Sequence, residues 1–414
     1  MKRVTAVLAL ALLLAVPWRA SAETYSDIYQ VISNILGIDP NVGRTTMRSL
    51  LIPMGGLAEG MGTAYSAVGK DSSYFESNPA ASSTLDFTEL SVFHNNWIAD
   101  TKIESAVYTI RYKGLGIGLG GKWLYLPFAA TNDFGDRAGA GYYSESMVGF
   151  NASYNFFPGF YFSGISAGAT GKLAYRSMPT VDSGATAGNS ALGIMLDAGL
   201  LSRFNFFKFY SSRTKNFSVA LTLKNLGPPV LGEPLPTDAT FGIAYSPIRP
   251  LILSLDVTQP IDLVDVALSE RLSVAGGALV QVSDFFKVHG GLLIKGGNPR
   301  ITIGSTFDVE LARITVNYTL DLTTQFTPLN RISVQAAFSL GDLGRADIAK
   351  KVDNLYRSGL DSYAKGEIDA AISFWDEALR LDATFDPARE SRDSAIASKG
   401  LKQTMLELQQ IKPN

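Results

Sequence analysis

From residue 86 to 341 apolar and polar positions alternate one for one through segment after segment. The last segment is the cleanest, with Ile332, Val334, Ala336, Phe338 and Leu340 interleaved by Arg331, Ser333, Gln335 and Ser339. Just before it, Ile314, Val316, Tyr318 and Leu320 alternate with Arg313, Thr315, Asn317 and Thr319. A strand points successive side chains to opposite faces, so this period of two predicts a ladder of strands with one greasy face and one polar or small face. Such a ladder has two homes, a water-soluble sandwich or a barrel in an outer membrane.

The N-terminus separates the two. Lys2 and Arg3 precede an apolar run from Val4 to Val16, followed by Ala20-Ser21-Ala22. That is the layout of a secretory signal peptide over residues 1–22, with cleavage before Glu23. The apolar run is shorter than the ~20 residues a membrane helix needs. Export combined with amphipathic strands predicts an all-β transmembrane barrel in the outer membrane of a double-membraned bacterium. The chain has no cysteine, which excludes disulfides and thiolate chemistry. A formal net charge of −2 offers no nucleic-acid footprint.

Charge density divides the chain. Residues 86–341 hold 38 Asp, Glu, Lys and Arg in 256 positions, whereas residues 342–414 hold 24 in 73, which puts a boundary at Gly341 to Gly344. The expected organisation is a signal peptide (1–22), an N-terminal segment (23–85), a barrel (86–341) and a small helical domain (345–414). Residues 23–41 read as partly helical, with Ile28, Val31, Ile32 and Ile35 at helical spacing. Gly55 to Ala80 is rich in glycine and small residues and is too long for an idle loop, so it is expected to occupy a packed place of its own.

Fourteen strands are predicted: 86–95, 101–112, 114–126, 141–157, 160–177, 189–205, 216–226, 237–246, 251–258, 271–282, 285–295, 299–308, 311–321 and 330–341. Connections after even strands are mostly short and those after odd strands often long, the habit of outer-membrane barrels with short periplasmic turns. The 206–215 connection and the short 296–298 connection break that rule. Phe156, Phe157, Phe160, Phe162, Phe204, Phe206, Phe207, Tyr210, Phe285 and Phe286 flank the short turns, and Trp97, Trp123, Tyr125, Phe128 and Tyr142 the other ends. Two interfacial girdles account for this, with aromatic core packing as the alternative. Gly116, Gly118, Gly120 and Gly121 crowd the third strand, where they mark either a kink that is a candidate lateral opening or mere tolerance of glycine. Their match to a dinucleotide fingerprint is rejected because no helix follows, and no cofactor is expected.

Beyond Gly344 the period becomes helical. Ile348, Val352, Leu355, Tyr356, Gly359 and Tyr363 share one face, and Ile368, Ala371, Ile372, Trp375, Ala378 and Leu379 another. Gly359, Tyr363, Gly366, Ala371, Trp375 and Ala378 fit the spacing of a tetratricopeptide helix pair, with a third helix from Pro387 to Gln409 as its cap. Such a unit is a docking surface, with Tyr363 and Trp375 as its candidates, or a periplasmic plug or spacer.

Gly60, Gly62, Ala64-Tyr65-Ser66, Asp71 and above all Asn78-Pro79-Ala80, placed ahead of a fourteen-strand ladder, make residues 45–341 similar to the FadL family of outer-membrane transporters, in a spirochaetal branch carrying a helical extension. The same Asn-Pro-Ala stretch occurs in the PorV-like branch, which carries secreted cargo. The resemblance implies a hatch inside the barrel, with Asn78, Pro79 and Ala80 on the ligand path. It also implies passive import of fatty acids or other hydrophobic small molecules, with exit through a kinked strand. A second reading makes the barrel an anchor whose helices recruit a periplasmic protein. An enzyme, for example a barrel phospholipase, has only His94 and His289 as histidine bases, and no His/Asp/Glu cluster stands at metal-ligand spacing. The chain is therefore expected not to be an enzyme.

Overall fold

A computed structural model describes residues 39–97, 100–131, 134–135, 137–177, 190–210, 212–296, 298–309, 311–321 and 329–410. The expected signal peptide, the helical stretch ahead of Asp39 and most of the loops 178–188 and 322–329 lie outside the described residues. Fourteen antiparallel strands close into one barrel. They are β1 Glu89–Asn96, β2 Lys102–Tyr112, β3 Leu115–Thr131, β4 Arg137–Phe156, β5 Ile165–Ser177, β6 Ala191–Phe204 and β7 Phe217–Leu226, then β8 Thr237–Tyr245, β9 Leu251–Ile261, β10 Ser273–Gln281, β11 Phe286–Lys295, β12 Asn298–Val309, β13 Ala312–Asp321 and β14 Leu329–Ser339. Closure runs through β1 and β14, paired from Glu89↔Ser339 to Asn95↔Ser333, so no strand edge is left unpaired.

The faces are reversed relative to a water-soluble protein. Ser91, Asn95, Asn151, Thr170, Thr302, Thr315, Asn317 and Gln335 point inward and are buried, while Val92, Phe150, Leu173, Ile194, Leu221, Ile303, Ile314 and Ile332 stand exposed on the outer wall. An apolar exterior around a polar interior is stable only when hydrocarbon surrounds the wall and every backbone group pairs within the sheet. The barrel is therefore membrane-spanning, and the sandwich alternative falls.

Several boundaries differ from the sequence expectation. β3 and β4 remain paired out to Ala130↔Gly139, where a loop over 127–140 is expected. Past the hydrocarbon both faces are wet, so backbone pairing continues while the apolar alternation that would reveal it stops. β5 starts at Ile165 rather than 160, because Phe157 and Gly164 take left-handed φ of +53° and +86° and widen the turn.

That turn and the 205–216 connection are the two long links at the otherwise short-turn rim, and both hold the C-terminal helices. These are α3 (Arg345–Ala364), α4 (Ile368–Leu381) and α5 (Asp386–Gln410). Phe160 meets Phe385 edge-on at 5.3 Å, and Arg213 pairs with Asp353 at 2.6 Å. Phe160 therefore packs on the helices instead of joining a girdle. The helices enclose their own core of Val352, Ala371, Trp375, Ala378, Phe385, Ala388 and Ala395. Gly359 permits the close crossing, since a Cβ there would collide with the Trp375 Nε1 and lie 2.7 Å from its Cδ1. Trp375 is 1% exposed and its Nε1 donates to the Tyr356 carbonyl at 3.2 Å, so it cannot serve as a docking residue. Tyr363 is 39% exposed. Trp375→Ala should cost about 3–5 kcal/mol and loosen the helical unit alone. Limited proteolysis should then cut within residues 345–410, while the barrel keeps its heat-modifiable mobility on gels.

Candidate functional site

The lumen is occupied by the chain's own N-terminal segment. It contains the short helices α1 (Gly56–Gly60) and α2 (Tyr74–Ser77), then a 3-10 turn over Pro79–Thr84. Asn78 organises the turn. Its Oδ1 accepts the Ala80 N–H at 3.0 Å, and its Nδ2 donates to the Ser66 carbonyl at 2.9 Å and to the Leu200 carbonyl of β6 at 3.1 Å. From β4, Asn151 donates to the Pro79 carbonyl at 3.0 Å. The three residues singled out in the sequence thus join segment to wall, and Asn78 and Ala80 are fully buried.

The glycines of β3 explain how the turn fits. Cβ atoms at Gly116, Gly118 and Gly120 would meet the Ser82–Ser83 backbone, the Tyr74 hydroxyl and the Phe75 ring. Gly168 and Gly199 make the same room for Pro79. β3 is paired with β2 from Lys102↔Tyr125 to Tyr112↔Leu115, and with β4 along its whole length. A lateral opening at Gly116, Gly118, Gly120 and Gly121 is therefore corrected: the first three form a seat for the luminal segment, and Gly121 faces the outer wall. The reason is steric, because two backbones approach closely only where side chains are missing.

Buried ion pairs tie the segment to the wall. Glu59 accepts from Arg331 at 2.5 Å, from Thr319 at 3.1 Å and from Asn95 at 3.2 Å. Glu76 pairs with Lys122 at 2.6 Å, and Asp256 takes the N–H groups of Tyr65 and Ser66 at 3.1 and 2.9 Å. The sequence pattern singles out none of Glu59, Lys122 and Asp256, and marks Arg331 only as a polar position of the last strand. Their trace is a charged residue at inward parity in a membrane strand, or inside an otherwise small-residue stretch, where an ion is expensive unless paired.

Beside this packed segment lies a cavity of about 370 Å³. Leu50, Leu51, Ile52 and Pro53 form an apolar ledge, facing Asp238, Thr240, Asp256 and Thr258 on the wall. Arg48, Lys224, Lys295 and Arg300 also line it. Lys295 and Arg300 are paired, to Glu270 at 3.3 Å and Asp321 at 2.8 Å, while Arg48 and Lys224 have no carboxylate partner among the described residues. Trp97, expected in a girdle, turns inward and stacks on Arg331 at 4.3 Å. Ser273 and Ala275 line the cavity as small inward residues, but Gly277 is covered by Met61. The site offers an apolar surface, hydroxyls and two unpaired cations, which suits an amphipathic molecule.

His94 lies on the outer parity of β1 and bonds Glu104 at 2.8 Å and Asn96 at 3.2 Å. His289 is buried against Asn317 at 2.7 Å. The two are on separate faces of the wall, and among the described residues neither hydrogen-bonds a serine, threonine or lysine side chain.

The profile of the uncharacterised protein family UPF0164 matches residues 37–342. The chain belongs to that family. A UPF0164 protein of Treponema pallidum (strain Nichols) is 27% identical over 369 residues, covering 85% of this chain and 83% of the relative. A second, from the same organism, is 25% identical over 381 residues, covering 86% of this chain and 75% of that one. These relatives accord with the spirochaetal branch expected from the sequence. Among solved structures, the P. putida toluene transporter TodX overlays with TM-score 0.43 and 13% identity over 68% of this chain and 98% of that chain. The KdgM porin overlays with TM-score 0.32 and 11% identity over 61% and 99%.

Proposed function

We propose that this UPF0164 protein is a passive outer-membrane transporter of small amphipathic or hydrophobic molecules, fatty acids first among them, in the manner of the FadL family it resembles. The supporting observation is the luminal arrangement: a ligand-sized cavity beside a segment held by a limited set of bonds, within an otherwise closed wall. In this reading the segment is the hatch. The short-turn rim and its helices face the periplasm, following the usual disposition of barrel turns. The ledge at Leu50–Pro53 receives the apolar part of the ligand, and Arg48 and Lys224 its polar end.

Asn78→Ala removes every side-chain bond by which this residue joins the turn, residues 64–66 and β6. Uptake of radiolabelled dodecanoate by cells expressing the variant should drop several-fold while barrel assembly stays normal. Unchanged uptake with an assembled barrel would remove the hatch from the mechanism. Lipid mass spectrometry on the detergent-extracted protein identifies the natural ligand.

A further inference from the structure

Many of the cations that face the lumen are matched by carboxylates: Arg331 by Glu59, Lys172 by Asp197 and Lys122 by Glu76 along the wall, and Arg313 by Asp308 and Glu89 at the short-turn rim. Besides Arg48 and Lys224 at the cavity, a second group, beside β2 and β6 at that rim, has no such ion pair among the described residues. Arg203 donates to the Val68 and Gly69 carbonyls at 2.8 and 3.2 Å. Arg111 donates to the Leu85 and Lys113 carbonyls at 3.1 and 3.0 Å. Arg345, entering α3, donates to the Arg111 carbonyl at 2.7 Å and to the Asp86 carbonyl. Lys70, next in the chain to Gly69, is exposed, and its ammonium makes no hydrogen bond or ion pair among the described residues. Lys70, Arg111 and Arg203 thus share the carboxylate of exposed Asp86, while Arg345 also lies near that of Asp342.

Carbonyls orient a guanidinium without neutralising it. Both bonds of Arg203 leave through Nη2, so its Nε and Nη1 donors have no partner among the described residues. We propose that this floor of the lumen is a binding site for an anionic group, a carboxylate or a phosphate, held by Lys70 with Arg203 and Arg111. Guanidinium forks and a mobile ammonium are the side chains that hold such groups. Only the further role as the last station of cargo leaving the barrel rests on the transport reading; the anion site stands without it.

Lys70 is the residue to change, because it carries no bond that the fold needs. Equilibrium dialysis of the full chain in non-ionic detergent would use decanoate, decanol and inorganic phosphate as probes. Lys70→Gln should weaken decanoate binding about tenfold, the scale of one charge-assisted bond, and Lys70→Glu should weaken it further. Decanol binding should be unchanged in both, as should decanoate binding by Lys350→Gln on the exposed face of α3. Crowding by the wall and the Arg203 charge lower the Lys70 pKa to about 8, with Asp86 opposing and Lys287 adding to the shift. Wild-type affinity for decanoate should therefore fall as pH rises through 8, and Lys70→Gln should lose that dependence. Competition by phosphate would show that the floor takes free anions; binding of decanoate without competition would assign it to the carboxylate of a lipid-like cargo. Equal decanoate affinity in wild type and Lys70→Glu, or no binding of either anion by wild type, overturns the site. Decanol uptake by cells tests transport separately, so failure there leaves the binding result intact.

Discussion

Gly199→Val should unseat the luminal turn and leave a barrel that leaks. A Cβ at this position would lie 2.9 Å from Pro79 Cδ and 3.0 Å from Cγ, and would press on the Asn78 side-chain oxygen. Neither neighbour can yield: one is a proline ring, and the other is held by the Ala80 N–H while its amide nitrogen grips two carbonyls. Overpacking of this kind costs about 1–3 kcal/mol before the Asn78 bonds are counted. The cheaper response is for the turn to leave its seat, since the wall is held here by unbroken pairing with β5 and, past a bulge between Leu196 and Ala198, by pairing with β7 from Ala198 to Phe204. Planar-bilayer recordings should show sustained conductance in the variant and little in the wild type. Gly171→Val supplies the control, because a Cβ there meets nothing within 4 Å. If Gly199→Val conducts no more than Gly171→Val, the glycines are not a seat.

Removing one member of the Glu59–Arg331 pair should have the other large effect. Their side chains are 1% and 4% exposed, so Arg331→Met would strand a buried carboxylate and Glu59→Gln would weaken the hold on a buried guanidinium. Stranding a charge in this way costs about 3–5 kcal/mol, whereas replacing both members by apolar residues of similar size costs far less. Glu59→Met combined with Arg331→Met should therefore be milder than Arg331→Met alone, a non-additivity that a double-mutant cycle measures. Hydrogen exchange of the α1 amides reports the loss locally. Protection of Met61 N–H, bonded to the Leu57 carbonyl at 3.0 Å, should collapse in Arg331→Met and recover in the double variant. Equal protection in all three proteins would show that the pair does not hold the segment.

Much of the wall was legible because a period of two is hard to produce by accident. The expected ladder has fourteen strands, and fourteen are present. Strand ends were less legible. The outer reaches of β3 and β4 carry no apolar alternation, since water touches both faces there. The 206–215 connection stood out as too long for its rim, and Arg213 supplies the reason by reaching Asp353 of α3. Asn78, Pro79 and Ala80 were legible as a motif, and the structure puts them between the segment and β4 to β6. Trp375 was not legible in this way: its helical spacing marks a buried stripe as readily as a docking face, and Gly359 packed against its ring decides for the stripe.

By itself the sequence determined which residues face hydrocarbon and which face inward, because side-chain parity in a strand follows from the backbone alone. It also determined where strands give way to helices, through the change of period and of charge density. Only the tertiary structure decided what the inward residues meet. Gly116, Gly118 and Gly120 read the same whether they border a gap or a tightly packed neighbour, and the neighbour lies some forty residues earlier, at Tyr74 to Ser83. The same holds for Glu59, whose partner Arg331 is 272 residues away. Contact across such separations depends on how the barrel closes, and local pattern carries no record of that.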